Sequence, residues 1–115
     1  MKTLLLFFFL LFFYCGSKKI DYGKEIPQNL PLTKIREILS APSQFQDKEV
    51  LLSGKIISEC GSGCWFFLQD ENNDVIYVDL APSRFAIPQL IGKEVLVYGK
   101  IKKDYLVGLG VKLKQ

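Results

Sequence analysis

The chain has 115 residues, 49% of them apolar and 23% charged, with three cysteines, no histidine and a formal charge of +3. That length holds one small domain. The missing histidine excludes Ser-His-Asp and Cys-His constellations, histidine-rich metal sites and the commonest general base, so the composition points away from an enzyme.

The N-terminus reads as an address. Twelve of the first fourteen residues are apolar, and Leu4 to Tyr14 is an uninterrupted run of eleven. As a helix that run covers about 16 Å, roughly half of a ~30 Å hydrocarbon core, and is too short to span it. Lys2, the short apolar run and then Cys15-Gly16-Ser17 together resemble a bacterial lipoprotein signal, in which the cysteine is lipidated and becomes the mature N-terminus. Tyr14 stands where such signals carry a small residue. The competing readings are an uncleaved signal anchor with Cys15 as a bystander and a buried N-terminal core helix. The resemblance implies a signal peptide over residues 1–14, a lipid on Cys15, attachment to the membrane and a place on the periplasmic face of the cell envelope. Gly16 after the cysteine favours the outer membrane. Gly16 to Pro31 carries Lys18, Lys19 and Lys24 with Gly23 and Pro27 and no apolar period, and reads as a solvated tether.

The domain is expected from Leu32 to Gln115. Thr33 suits the N-cap of a short helix with Ile35, Ile38 and Leu39 on one face, ended by Pro42. The rest is strand-like. Val50, Leu52, Gly54 and Ile56 alternate with their neighbours in a long first strand, with Gly54 suited to a bend or bulge. Cys64 to Gln69 is a second strand, and the turn cluster Asp70-Glu71-Asn72-Asn73-Asp74 pairs it with a third, Val75 to Leu80. Ala81 to Leu90, with Pro82 and Pro88, reads as an irregular or helical crossover. Val95 to Lys102 and Tyr105 to Leu113 make the fourth and fifth strands around a Lys103-Asp104 turn.

Five strands, the first bent and a break between the third and fourth, match a mainly β fold: the five-stranded Greek-key barrel called the OB-fold, here with a short N-terminal helix. The phrases Lys48-Glu49-Val50 to Gly54-Lys55-Ile56, then Trp65-Phe66-Phe67-Leu68-Gln69-Asp70, then Gly92-Lys93-Glu94-Val95 to Gly99-Lys100-Ile101 resemble bacterial OB-fold domains grouped with tRNA-anticodon-binding-like modules. Within that group, Cys60 and Cys64-Trp65 resemble envelope proteins of unknown function carrying a Cys-x-x-x-Cys-Trp hairpin. That resemblance implies no chemistry to inherit.

Two features of the domain invite function. Cys60-Gly61-Ser62-Gly63-Cys64 sits where the first strand turns into the second, and cross-strand Cα separations of about 4.5 to 5.5 Å suit a disulfide. Outside the cytoplasm such a pair favours oxidation, which would rigidify the loop. The alternative is a thiol pair that holds a soft metal such as Cu(I) or exchanges disulfides. Zinc would need two further ligands, and catalytic redox work ranks below metal binding because no helix N-terminus follows to lower a thiol pKa.

The second feature is aromatic. If Phe66 and Leu68 face the core, Trp65 and Phe67 lie on the outer face beside Tyr77 and, in one arrangement, Tyr98. Such a face would bind a partner protein, a peptide or a glycan, unless the lead-in helix covers it or Trp65 packs on the disulfide. Single-stranded nucleic acid is a third reading. Charge weighs against it: from Glu49 onward, eight basic residues face eight acidic ones, leaving no general attraction to phosphate. The lysines gathered on the fourth and fifth strands read as a solvated edge that blocks strand addition.

Overall fold

Alternating apolar side chains close this chain into a barrel. A computed structural model describes residues 20–114; the signal expected over residues 1–14 and Cys15 lie outside the described residues. The described elements are β1 (Asp21–Gly23), α1 (Ile35–Ser40), β2 (Glu49–Glu59), β3 (Trp65–Gln69), β4 (Val75–Asp79), β5 (Glu94–Lys102) and β6 (Tyr105–Leu113), with single 3-10 turns over Pro42–Phe45 and Ala81–Ser83. β2 pairs with β3, β3 with β4, β4 with β6, β6 with β5, and β5 with β2, which closes five strands on themselves. Every pairing is antiparallel except β4 with β6, where Val78 faces Leu106. Because β4 neighbours β6, the chain must cross the barrel to start β5. That path is the Greek-key arrangement of an OB-type barrel.

Period-two burial fills the interior. Phe66, Leu68, Ile76 and Val78 point inward and are at most 2% exposed, as are Leu52 and Ile56 on β2. Each such side chain removed from water stabilises the fold by about 1.5 to 3 kcal/mol. Ile35 and Ile38, three residues apart on α1, join the same core, and Arg36 reaches Asp74 at the β3–β4 turn. The helix therefore seals the end of the barrel at that turn and does not lie over the outer faces of β3 and β4.

Local details depart from the sequence pattern for physical reasons. Thr33 is not the N-cap, because its backbone N–H bonds the Leu51 carbonyl of β2 at 2.9 Å; the helix starts after Lys34. Leu39 is 40% exposed, since a helix of one and a half turns brings only the Ile35–Ile38 stripe to the core. Gly54 does not mark the bulge. It lets β2 pass close to the Gln69 carbonyl, where a Cβ would collide, and the extra residue is Ile57, between the pairs Ile56–Leu68 and Ser58–Phe67. The stretch from Gly16 to Pro31, expected as a tether, contains β1, which adds outside the barrel to β6 through Asp21–Lys112, Tyr22–Val111 and Gly23–Gly110.

The crossover is irregular beyond its 3-10 turn, where Ser83 donates its hydroxyl to the Gly108 carbonyl at 2.6 Å. Glu59, at the end of β2, accepts the backbone N–H of Leu90 at 2.9 Å and of Ile91 at 3.0 Å on one carboxylate oxygen.

Candidate functional site

β3 and β4 carry the aromatic face on the sides that the core does not use. Phe67 and Tyr77 stand opposite each other in the ladder, with ring centroids 5.4 Å apart at 62°. Trp65 meets the edge of Phe67 at 5.8 Å and tilts over Tyr77 at 6.0 Å. All three are partly exposed, so the rings pack on one another and still present a surface. Edge-to-face pairs of this kind add about 0.5 to 1.5 kcal/mol beyond area burial.

The face extends further than the sequence pattern reached. Tyr105, on β6, lies 6.0 Å from Tyr77, because the parallel register that sets Val78 against Leu106 brings their preceding residues side by side. Tyr98 does not belong to it. That ring is 7% exposed, and its hydroxyl donates to Glu49 at 2.6 Å; this hydrogen bond and burial raise the Tyr98 pKa.

The thiol loop adjoins the face. Cys60 closes a tight turn, with the Gly63 N–H on its carbonyl at 2.9 Å, and its own N–H bonds the Trp65 carbonyl at 3.0 Å. Gly63 has φ +76°, a conformation that side chains rarely adopt, and its carbonyl accepts the Ile87 N–H at 3.1 Å. The loop is thus held from the barrel on one side and from the crossover on the other. Cys60 and Cys64 are both free thiols, with sulfurs 3.2 Å apart. The Ser62 hydroxyl sits between them, 3.1 Å from the Cys60 sulfur and 3.4 Å from that of Cys64.

The Cys60 sulfur collects donors. The Ser62 hydroxyl, the Ser62 backbone N–H, the Cys64 thiol and the Cys64 backbone N–H all favour its thiolate, and hold its pKa down at about 7 against a weaker opposing effect of burial. The sequence offered no helix N-terminus for this purpose; the turn itself supplies the amides. Tyr77 registers the same neighbourhood. Its pKa is raised by burial first, then by the charges of Asp79, Cys64 and Cys60.

Other features of the surface are less convergent. A groove of about 680 Å³ shares no residue with the aromatic face and mixes Lys34, Lys55 and Lys114 with Asp70, Glu71 and Glu94, so it carries no field of one sign. Asp70 turns its side chain onto the backbone N–H of Asn72 and Asp74, at 3.0 and 3.1 Å, which accounts for the acidic turn as local structure. Among the described residues no three histidine, cysteine, aspartate or glutamate side chains gather as a metal site, and no helix is long and apolar enough to cross a membrane. Sequence reasoning placed Cys60, Cys64, Trp65, Phe67 and Tyr77 in one neighbourhood and omitted Ser62 and Tyr105. Residue type was the only clue to Ser62, and strand alternation combined with the parallel pairing would have found Tyr105. No protein-family model matches the chain, and no curated protein matches it.

Proposed function

We propose that this protein is a non-catalytic binding module, held on the periplasmic face of the cell envelope by a lipid on Cys15, that takes a partner protein, a peptide or a glycan on the face formed by Trp65, Phe67 and Tyr77 and extended by Tyr105. The observation that carries the reading is the packed, partly exposed ring cluster on β3 and β4. Those strands correspond to the second and third of an OB-type barrel, the surface on which this fold commonly holds its ligands, and Cys60 to Cys64 is the loop between its first and second strands. Flat rings with a rigid loop beside them provide contact area at little cost in side-chain entropy. In the envelope the cysteine pair would close as a disulfide and fix that loop.

Nucleic acid is a poorer fit than a neutral ligand. The lysine group on β5 and β6 is partly committed, Lys102 to Asp47 and Lys114 to the Ser53 hydroxyl, and the barrel has no excess of basic residues. A soft metal held by Cys60 and Cys64 is also disfavoured. A linear two-sulfur site needs sulfurs about 4.6 Å apart, taking ~2.3 Å for each metal–sulfur bond, against 3.2 Å here.

Trp65 is the only tryptophan, so its emission reports on the face directly. Titration with an array of peptides and oligosaccharides is expected to shift that emission and to shield it from a soluble quencher, with affinity nearly independent of salt. Binding that Phe67→Ala and Tyr77→Ala leave intact, or affinity that falls steeply with salt, overturns the reading. For the anchor, metabolic labelling with a radioactive fatty acid is expected to mark the chain and to fail on Cys15→Ser; equal labelling of both rejects it.

A further inference from the structure

We propose that Cys60 and Cys64 form a reversible dithiol–disulfide couple that exchanges with accessible disulfides, Cys60 as the attacking sulfur and Cys64 as the resolving one. The couple goes beyond the binding reading and does not depend on it.

The geometry separates the roles. The two sulfurs are in contact at 3.2 Å, with Cys64 donating to Cys60, so a bond between them needs only a short approach. Ser62 Oγ lies on the Cys60 sulfur at 3.1 Å. Cys60 thus accepts from the Cys64 thiol and touches the nearer side of the Ser62 hydroxyl, whose longer contact, 3.4 Å, goes to Cys64. A sulfur with that environment is thiolate-rich near neutral pH. Gly61 and Ser62 are exposed and the cysteines partly so, which leaves the loop open to a disulfide from outside.

The exchange balances. The Cys60 thiolate attacks one sulfur of a disulfide R–S–S–R′; a Cys60–S–R bond forms, the S–S bond breaks, and R′–S⁻ departs with the electron pair. That leaving thiolate takes the proton of the Cys64 thiol. The Cys64 thiolate then attacks the Cys60 sulfur, the Cys60–Cys64 bond forms and R–S⁻ is released. The protein dithiol loses two electrons and the substrate disulfide gains them; the reverse sequence oxidises a dithiol. Donors that stabilise the Cys60 thiolate stabilise the reduced form, so the closed disulfide is easier to reduce than a purely structural one. The shared chemistry of the substrate is an accessible S–S bond, either in a small thiol compound or in a peptide.

Alkylation of the full chain by iodoacetamide, with each cysteine resolved by mass spectrometry so that Cys15 is read separately, tests the roles. In Cys64→Ala, Cys60 should alkylate with a midpoint shifted below that of Cys64 in Cys60→Ala, and Ser62→Ala should slow Cys60 at pH 7 by about three- to ten-fold. Buffers of reduced and oxidised glutathione should open and close the Cys60–Cys64 bond reversibly, and Cys64→Ser should accumulate a glutathione adduct on Cys60. Equal midpoints for the two cysteines, a disulfide that resists reduced glutathione, or no adduct on Cys60 overturns the proposal. Ser62→Ala leaves the Gly63–Ile87 hydrogen bond in place and keeps the test open if a cysteine variant does not fold. A peptide disulfide with flanking aromatic residues distinguishes the sources: faster exchange than with glutathione disulfide, lost in Tyr77→Ala, identifies peptides, and equal rates identify small disulfides. The glutathione arm makes no use of the aromatic face, so the couple and the binding reading fail separately.

Discussion

Gly63 and Ile87 meet backbone to backbone, the Ile87 N–H on the Gly63 carbonyl at 3.1 Å, with no room for a side chain at residue 63. This contact fixes the thiol loop against the crossover and so determines where Cys60 and Cys64 stand relative to β3. Gly63→Ala must place a Cβ against the Ile87 carbonyl at φ +76°. It is expected to lose about 2 kcal/mol or more by denaturant unfolding. Gly61→Ala, where the space is open, should stay within about 0.5 kcal/mol of the parent. Similar losses in both would show that the contact does not hold the loop.

Glu59 restrains the same crossover three residues further along, at Leu90 and Ile91. Glu59→Ala removes the acceptor shared by Leu90 and Ile91 and should cost about 1 to 3 kcal/mol. Hydrogen exchange is expected to rise most at those two amides. Unchanged protection there would mean that the carboxylate does not restrain the crossover.

The hydroxyl of Tyr98 makes stability depend on alkaline pH. Its folded-state pKa is raised by the bond to Glu49 and by burial, so its contribution is fully present below the unfolded tyrosine value near 10 and is lost as pH rises through the folded value. Tyr98→Phe should cost about 1 kcal/mol at neutral pH and flatten the decline above about pH 10. A parallel decline in both proteins would assign the alkaline loss to other groups.

Truncating the aromatic face should separate stability from recognition. Phe67→Ala and Tyr77→Ala remove partly exposed rings, so each is expected to lose about 0.5 to 1.5 kcal/mol from its ring contacts, well below the ~3 to 5 kcal/mol of a core Phe66→Ala. Thermal melts of the three variants check the ranking. A Phe67→Ala loss as large as that of Phe66→Ala would make Phe67 a core residue.

What was legible in the sequence is what sterics make periodic. Side chains on a strand alternate, so once Phe66 and Leu68 face inward, Trp65 and Phe67 cannot; the same rule placed Ile76 and Val78 opposite Tyr77. The five barrel strands and the crossover followed from turn residues and alternation together. Features that depend on distant partners were hidden. Tyr105 joins the face through a parallel pairing between β4 and β6, which no local pattern announces. Thr33 lost its capping role to a carbonyl on β2, and Leu39 was left in water because the helix ended before a second stripe could form. β1 is three residues long, too short for a period. Ser62 read as a small spacer, since only the folded turn puts its hydroxyl between two sulfurs.

The docking of β1 on β6 has a mechanical side. A pull applied to the chain upstream of Ile20 reaches the bond between the Leu113 N–H and the Ile20 carbonyl, at 2.7 Å, and the three β1–β6 pairs before it reaches the pairings that close the barrel. The edge strand is therefore a fuse, able to peel while β2 to β6 stay intact. For as long as it holds, the five chain steps from Cys15 to Ile20 allow at most about 18 Å of reach. With the proposed lipid on Cys15, peeling Asp21–Gly23 would lengthen the leash, so tension on the chain would set how far the barrel stands from the membrane.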